Sequence, residues 1–203
     1  MRFLVLNTDY PSFLGELYGR SPGLRECSFA DQLAARNATY FGLADAYSEA
    51  LRERGHWALD IHLNNHHLQG AWAKENGMPE ASPRRRIQAR LRRGVVPWIG
   101  RAEDPSWEVE VLRTQIEHLQ PDVIFNHDIN WRLPSELRTL AGPRLLVGQH
   151  AAPPLAFTDY SPYDLILSSW PPTLEQLRGS GVRAESLRLG FDPRVLQAVG
   201  SPP

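Results

Sequence analysis

The chain has 203 residues, of which 42% are hydrophobic and 22% are charged. These fractions are typical of a globular domain and exclude collagen-like and intrinsically disordered chains. The formal net charge of −1 gives no overall positive field that would attract nucleic acid or anionic membranes. The single cysteine, Cys27, excludes an internal disulfide framework. No apolar run is nearly as long as a membrane helix, which needs about 20 residues, so we expect no transmembrane segment. Taken together, these features predict a single-domain cytoplasmic protein.

Six short apolar segments predict buried β-strands. Val, Ile, Leu and Phe fill the middle of several of them, and most stop abruptly at polar residues. Near-continuous apolar runs of this kind are typical of strands that are covered on both faces, as in parallel sheets. The predicted strands are Arg2–Asn7, Trp57–Leu63, Asp122–Asn126, Arg144–Gly148, Asp164–Leu167 and Ala184–Leu189.

Helical patterns separate these strands. An apolar stripe predicts one long helix over Ser28–Arg54, with Ser28 as its N-cap and Gly55 as its stop. Shorter helices are predicted over Trp107–Leu119, Pro134–Leu140 and Pro172–Arg178. The alternation of strands and helices predicts an α/β fold, a Rossmann-like doubly wound and mostly parallel sheet of about six strands with helices on both faces.

Residues 64–102 interrupt this alternation with an arginine-rich insertion. On a helix that starts at Arg84, the arginines up to Arg93 flank Ile87 and Leu91. This spacing predicts a helix with a solvated basic face over a small apolar seam. Two alternatives stay open: the arginines form a binding patch for phosphate or another acidic group, or the insertion is flexible.

Polar side chains follow four of the predicted strands. The carboxyl ends of parallel strands meet at one edge of a sheet, where open α/β sheets bind their ligands, so we predict a polar cleft there. His127, Asp128 and His150 are the cleft residues suited to proton transfer near neutral pH. The strand ends together supply Asn7, Thr8, Asp9, Tyr10, Asn126, His127, Asp128, Gln149, His150, Ser169 and Trp170.

Several familiar cofactor sites lack their motifs. The segment 8–27 after the first strand contains no Gly-x-Gly-x-x-Gly, and the chain has no Walker lysine, so we expect neither NAD nor ATP there. Instead we expect a long loop that serves as a substrate flap. His56, His62, His66 and His67 have no carboxylate or cysteine at ligand spacing, so we expect no metal site. We therefore predict no cofactor.

Four segments in the second half of the chain carry a family resemblance. They are Gln120–Asp128, Leu145–His150, Tyr163–Ser169 and Leu189–Arg194. Together they resemble the amino-terminal half of GT-B glycosyltransferases, most closely the group related to the spore-maturation CgeB proteins. The resemblance implies an acceptor-binding domain over residues 1–194 and the start of an interdomain linker over 195–203. The domain that holds the nucleotide-sugar donor would lie beyond this chain, and the acceptor half alone would be inactive.

The resemblance also implies roles for residues of the cleft. In an inverting enzyme of this kind, a base removes the proton from the acceptor hydroxyl, with His150 as the first choice and Asp128 as the second. A retaining enzyme needs no such base, and both stereochemical outcomes stay open. Trp131 or Trp170 would stack on a sugar face. Acceptor hydroxyls would be bound by Asn7, Thr8, Asp9, Tyr10, Asn126, His127, Gln149 and Ser169.

Two other functions stay open beside this one. A stand-alone Rossmann-like module would bind a ligand or regulate a partner without catalysis. A small independent enzyme, hydrolytic for example, would use the His and Asp residues of the cleft. Fold alone does not decide among the three, because one fold hosts many activities.

Overall fold

A computed structural model describes residues 1–78, 84–92, 96–104 and 106–200. Its centre is a six-stranded sheet in which all neighbouring strands pair in parallel. This confirms the predicted α/β class and the doubly wound sheet. The six strands are β1 (Arg2–Asn7), β2 (Trp57–His62), β5 (Val123–Asn126), β6 (Leu145–Gln149), β7 (Leu165–Ser168) and β8 (Ala184–Ser186). Two further strands, β3 (Arg84–Arg92) and β4 (Val96–Asp104), form a separate sheet.

The order of the strands in the main sheet is β2-β1-β5-β6-β7-β8. The chain runs from β1 outward to β2 and then crosses back to β5 on the other side of β1. The connections therefore lead to opposite sides of β1 in the sheet. At such a change of direction, a crevice opens beyond the carboxyl ends of the two strands involved, here β1 and β5. Leu6 of β1 pairs with Asn126 of β5, which brings the residues that follow the two strands next to each other.

Helices cover the sheet between the strands. Four of them carry proline in the first turn, where the missing N–H removes no helical hydrogen bond. A short 3-10 turn spans Pro22–Glu26. The helices are α1 (Pro11–Arg20), α2 (Phe29–Asn37), α3 (Ala46–Glu53), α4 (His66–Glu75), α5 (Ser106–Leu119), α6 (Pro134–Ala141), α7 (Pro171–Gly179) and α8 (Pro193–Val199).

The two faces of the sheet carry cores of different size. The larger core packs strand residues against α5, α6 and α7, and includes Leu4, Leu6, Ile116, Ile124, Leu137, Leu146, Ile166 and Leu177. The smaller core, on the opposite face, contains Val5, Val123, Phe125 and Val147, with Tyr47 of α3 packed against it. Because strand side chains alternate between the faces, burial on both explains why the strands read as continuous apolar runs.

The prediction of one helix over Ser28–Arg54 is wrong in its middle. The chain forms α2 and α3, and residues 38–45 connect them as a loop. Tyr40, Gly42 and Ala44 adopt φ angles of 52°, 63° and 43°, a left-handed conformation that a right-handed helix does not continue. The predicted ends are confirmed: Ser28 caps α2 by accepting a hydrogen bond from the backbone of Asp31 at 3.1 Å, and Gly55 follows α3 with φ 79°.

The insertion begins with helix α4, but its arginine-rich part forms the antiparallel pair of strands β3 and β4, so the predicted helix from Arg84 is wrong. The sequence alternates the apolar residues Ile87, Ala89 and Leu91 with polar ones, and this period of two suits a strand rather than a helix. Pro83 and Arg93, which bound the predicted basic segment, lie outside the described residues.

Two further expectations need correction. The segment 8–27 is a folded element rather than a long loop, because it contains α1 and the 3-10 turn. The last strand ends at Ser186 and not at Leu189. The predicted linker over 195–203 stays a prediction: its first residues belong to α8, and residues 201–203 lie outside the described part of the chain. No helix among the described residues is long and apolar enough to cross a membrane.

Candidate functional site

A pocket with a volume of about 160 Å³ lies in the crevice between the ends of β1 and β5. We call it the polar pocket. Its walls come from the segment after β1, the segment after β5, helix α2 and the loop 38–45. The lining residues are Asn7, Thr8, Asp9, Tyr10, Arg36, Phe41, Gly42, Leu43, Ala44, His127 and Asp128. The topology therefore brings together six of the residues predicted from the strand ends.

The floor of the polar pocket is a buried charge cluster. The Asp9 carboxylate pairs with the Arg36 guanidinium at 2.5 Å, and the two side chains are only 1% and 4% exposed. His62 Nδ1, at the end of β2, lies 3.1 Å from the second carboxylate oxygen of Asp9. Burial raises the pKa of Asp9, but the hydrogen bonds and charges of His62 and Arg36 outweigh burial and hold that pKa at about 2. Asp9 is therefore an ionised structural anchor.

Reciprocal hydrogen bonds fix the backbone at the same place. The Asp9 N–H donates to the Asn64 side-chain oxygen at 2.8 Å, and the Asn64 side-chain N–H donates to the Asp9 carbonyl at 2.7 Å. The chain that leaves β1 is thus bound to the segment that follows β2. Thr8 and Tyr10, on either side of Asp9, are held at the edge of the pocket as a result.

A second buried carboxylate, Asp60 of β2, supports this floor. It accepts hydrogen bonds from the Ser48 hydroxyl and from the Asn7 side-chain N–H, the latter at 3.2 Å. Burial raises the pKa of Asp60, and the hydrogen bond from Ser48 opposes this change. Asn7 lines the pocket, but its side chain is already engaged with Asp60 and cannot turn freely to a ligand.

Asp128 occupies the mouth of the pocket, and its side chain is half-buried. One carboxylate oxygen accepts a hydrogen bond from the Thr8 hydroxyl at 2.8 Å, and the other accepts from the Asn130 backbone N–H at 3.1 Å. The backbone N–H of Asp128 itself donates to the Asn126 side chain. The carboxylate is therefore held in place across the β1–β5 crevice, and each oxygen keeps a lone pair for a ligand.

His127 forms the apolar side of the same mouth. Its ring lies edge-on to the rings of Tyr47 and Phe125, with centroid distances of 4.6 Å and 4.5 Å. Burial, and to a smaller extent the charge of His62, lower the pKa of His127 to about 4. The imidazole is therefore neutral at pH 7, and neither ring nitrogen has a hydrogen-bond partner within the described residues.

The loop 38–45, which we call the lip loop, closes one side of the pocket with Phe41 to Ala44. Arg194 of α8 fastens this loop: its guanidinium donates to Asp45 at 2.8 Å and lies 5.8 Å from the ring centre of Tyr40. Asp192 holds the same guanidinium at 2.6 Å. The segment Leu189–Arg194 therefore reaches the pocket through the lip loop rather than by lining it.

Five predicted site residues lie apart from the polar pocket. Asn126 is buried and donates to the Tyr163 hydroxyl, and His150 Nε2 lies 3.3 Å from the Pro153 carbonyl oxygen. Ser169 and Trp170 are exposed after β7. None of these residues, nor Gln149, is among those that line the polar pocket. The first choice for the base, His150, is therefore not a pocket residue, whereas the second choice, Asp128, is.

Sequence reasoning missed Arg36 and Asp60, although both left a signal. Arg36 continues the stripe of Phe29 and Leu33 along α2, where a charged residue on an apolar stripe indicates a buried partner. Asp60 interrupts an apolar strand in the same way. Neither pattern identifies the residue with which the buried charge is paired, because the partners are far apart in the chain: Arg36 and Asp9 are separated by 27 positions.

The histidines considered as metal ligands lie in different parts of the structure. His62 lies in the floor, His66 lies 3.3 Å from the Glu108 carboxylate, and His67 packs against the ring of Tyr18. Within the residues that the structure describes, no group of three or more His, Cys, Asp or Glu side chains is placed to hold a metal ion.

Comparisons with protein families, with curated protein sequences and with solved structures find no match to this chain. Any function assigned to the chain therefore rests on its fold and on the geometry of the pocket.

We expect Asp9→Asn to lower the free energy of unfolding by about 3–5 kcal/mol, because it leaves the buried Arg36 charge without its carboxylate. Glu16→Gln is the matched control: it breaks the exposed Glu16–Arg20 pair, and we expect a loss below about 1 kcal/mol. The stability that Asp9 contributes is present above its ordinary pKa of 3.8 and is lost as the pH falls toward its folded value of about 2. Urea unfolding of both variants between neutral pH and pH 3 measures these effects; equal losses in the two variants would contradict the floor described above.

We expect Arg194→Met to loosen the lip loop without weakening the sheet. The lost contacts are partly exposed and contribute about 1 kcal/mol, so amide hydrogen exchange over residues 40–45 should be roughly fivefold faster. Arg178→Met, which breaks an exposed ion pair with Glu185, is the control and should leave exchange in this loop unchanged. Exchange over 40–45 that is the same in all three proteins would show that Arg194 does not fasten the loop.

Proposed function

We propose that this chain is the acceptor-binding half of a GT-B-type glycosyltransferase and that the polar pocket binds a hydroxyl-bearing ring of the acceptor. The observation that supports this most is the position of the Asp128 carboxylate, held by the Thr8 hydroxyl at the mouth of a pocket between β1 and β5. That crevice is the place where open α/β sheets bind ligands.

The pocket suits a neutral polyol better than an ionic ligand. The positive charge of Arg36 is neutralised by Asp9, so no free cation in the pocket lining is available to a phosphate. Asp128 and Thr8 offer carboxylate and hydroxyl oxygens, which bind neighbouring sugar hydroxyls. A volume of about 160 Å³ equals that of roughly five water molecules, which fits one small ring.

An aromatic edge accompanies these oxygens. Tyr10 is 70% exposed at the rim, and its ring lies edge-on to Phe41 at 5.9 Å. An exposed aromatic ring beside hydrogen-bonding groups is suited to the apolar face of a sugar. Tyr10 takes the stacking role that sequence reasoning gave to Trp131 or Trp170, since neither tryptophan lines the pocket.

Asp128 is the proposed base, in place of His150. The Asp9 carboxylate is buried in its ion pair with Arg36, and His150 lies outside the pocket lining. Burial lowers the pKa of His127 to about 4, which makes it a weaker base than an ordinary histidine. The half-buried carboxylate of Asp128 lies at the mouth, where an acceptor hydroxyl can reach it. In the inverting reaction, the acceptor hydroxyl gives its proton to Asp128, and its oxygen forms a bond to the anomeric carbon of a nucleotide-sugar. The nucleotide leaves with the electron pair of the bond that breaks.

The experiment is calorimetric or NMR titration of the chain with methyl glycosides of glucose, galactose, mannose and N-acetylglucosamine. For a sugar that binds, we expect Asp128→Asn to weaken binding roughly 10- to 100-fold, the effect of losing a hydrogen bond to a charged group. Thr8→Val should have a smaller effect in the same direction. His150→Ala is the control and should bind like the unchanged chain.

Two results would contradict the proposal. The first is that none of these glycosides binds. The second is that binding is unchanged in Asp128→Asn and lost in His150→Ala, which would place the sugar beyond β6 rather than in the polar pocket.

A further inference from the structure

A second concave surface adjoins the polar pocket. It has a volume of about 450 Å³ and lies between α1, the 3-10 turn and the end of α2. We call it the apolar groove and define it by Phe13, Leu17, Leu24, Ala35, Ala38 and Phe41. We infer that this groove binds an aryl or short alkyl group carried by the acceptor whose hydroxyl-bearing ring occupies the polar pocket. The inference rests on the proposed function and names the class of its acceptor.

The local structure explains why the groove stays open. Phe13 and Leu17 are one helical turn apart on α1, and Leu24 follows on the 3-10 turn, so all three project to one side. None of them is fully buried: each is half-buried and lines the groove instead of joining the two cores of the domain. Apolar side chains in a concave surface gain free energy when an apolar ligand displaces the water from them.

Phe41 connects the groove with the polar pocket, because it lines both. Its ring stacks on Phe13 with a centroid distance of 4.2 Å and an interplanar angle of 7°, and Tyr10 meets it edge-on from the pocket side. A ligand that extends from the pocket into the groove therefore stays in contact with aromatic rings. The left-handed residues of the lip loop, Tyr40 and Gly42, place Phe41 at this junction.

The charges at the groove indicate a neutral occupant. Glu16 and Arg20 are the charged residues of its lining, and they pair with each other at 2.5 Å. The pair leaves no net charge for an ionic group to neutralise. The volume of about 450 Å³ lies in the range of small-molecule sites, about 300–1,000 Å³, and exceeds that of the polar pocket. The groove thus has room for an aryl or short alkyl substituent.

Three kinds of probe separate the groove from the pocket in NMR titrations of the full chain. Methyl glycosides of glucose, galactose, mannose and N-acetylglucosamine test the pocket, and benzyl alcohol tests the groove. The benzyl glycosides of the same sugars test the connection between them. We expect a benzyl glycoside to bind about tenfold tighter, or more, than the methyl glycoside of the same sugar, the effect of burying one aromatic group.

Substitutions in the lining of the groove test whether the higher affinity of the benzyl glycosides arises there. Ala38→Glu places a charge in the groove from an exposed position, and Leu17→Asp does so from α1. Each should abolish the benzyl advantage and leave the affinity for the methyl glycoside unchanged. Ala34→Glu, at an exposed position of α2 outside the groove lining, is the control and should keep the full advantage.

The outcomes distinguish this inference from the proposed function. Methyl glycosides that bind without any benzyl advantage, or an advantage that survives Ala38→Glu and Leu17→Asp, would overturn the inference and leave the proposed function standing. Benzyl alcohol that shifts the groove signals while no glycoside binds would overturn the proposed function and support the groove alone as an apolar site. Binding of none of the probes would overturn both.

Discussion

The buried ion pair between Asp9 and Arg36 is the interaction on which the rest of the site depends. Two charges removed from water are costly unless each is paired, and here His62 adds a second contact to the carboxylate. The pair joins the end of β1 to α2, while His62 and Asn64 join it to the end of β2. The crevice between β1 and β5 therefore has a rigid, neutralised floor, and the segment around Thr8 has a fixed direction.

The residues of the polar pocket thus fall into two groups with different roles. The floor residues fix the geometry: Arg36 donates to the Asp9 carboxylate through Nε and Nη2, and Asp60 accepts from Ser48. The mouth residues, Asp128 and Tyr10, keep hydrogen-bonding capacity or exposed ring surface for a ligand. In the proposed function, a carboxylate whose position is already set loses little freedom when a hydroxyl binds, and this preorganisation would favour proton transfer.

The sequence predicts the sheet better than the site. The sequence pattern predicts all six parallel strands, and burial on both faces explains the apolar runs of inner strands such as β5, although the edge strand β8 is mostly exposed. The break at the lip loop depends on left-handed residues such as Ala44, which no apolar pattern reveals. The polar strand ends include Thr8 and Asp128, which do meet in the pocket. The same reasoning also selects His150, because strand order is not visible in a sequence: β6 lies one strand farther from the switch point than β5.

Sugar transfer is the activity to measure, with the protein isolated from its own cells and supplied with nucleotide-sugars and benzyl glycosides. We expect transfer to a glycoside hydroxyl. The rate should fall about 10²- to 10⁴-fold in Asp128→Asn, the usual contribution of a general base, and stay unchanged in His150→Ala. Absence of transfer with every nucleotide-sugar, or transfer that survives Asp128→Asn, would contradict the proposed function.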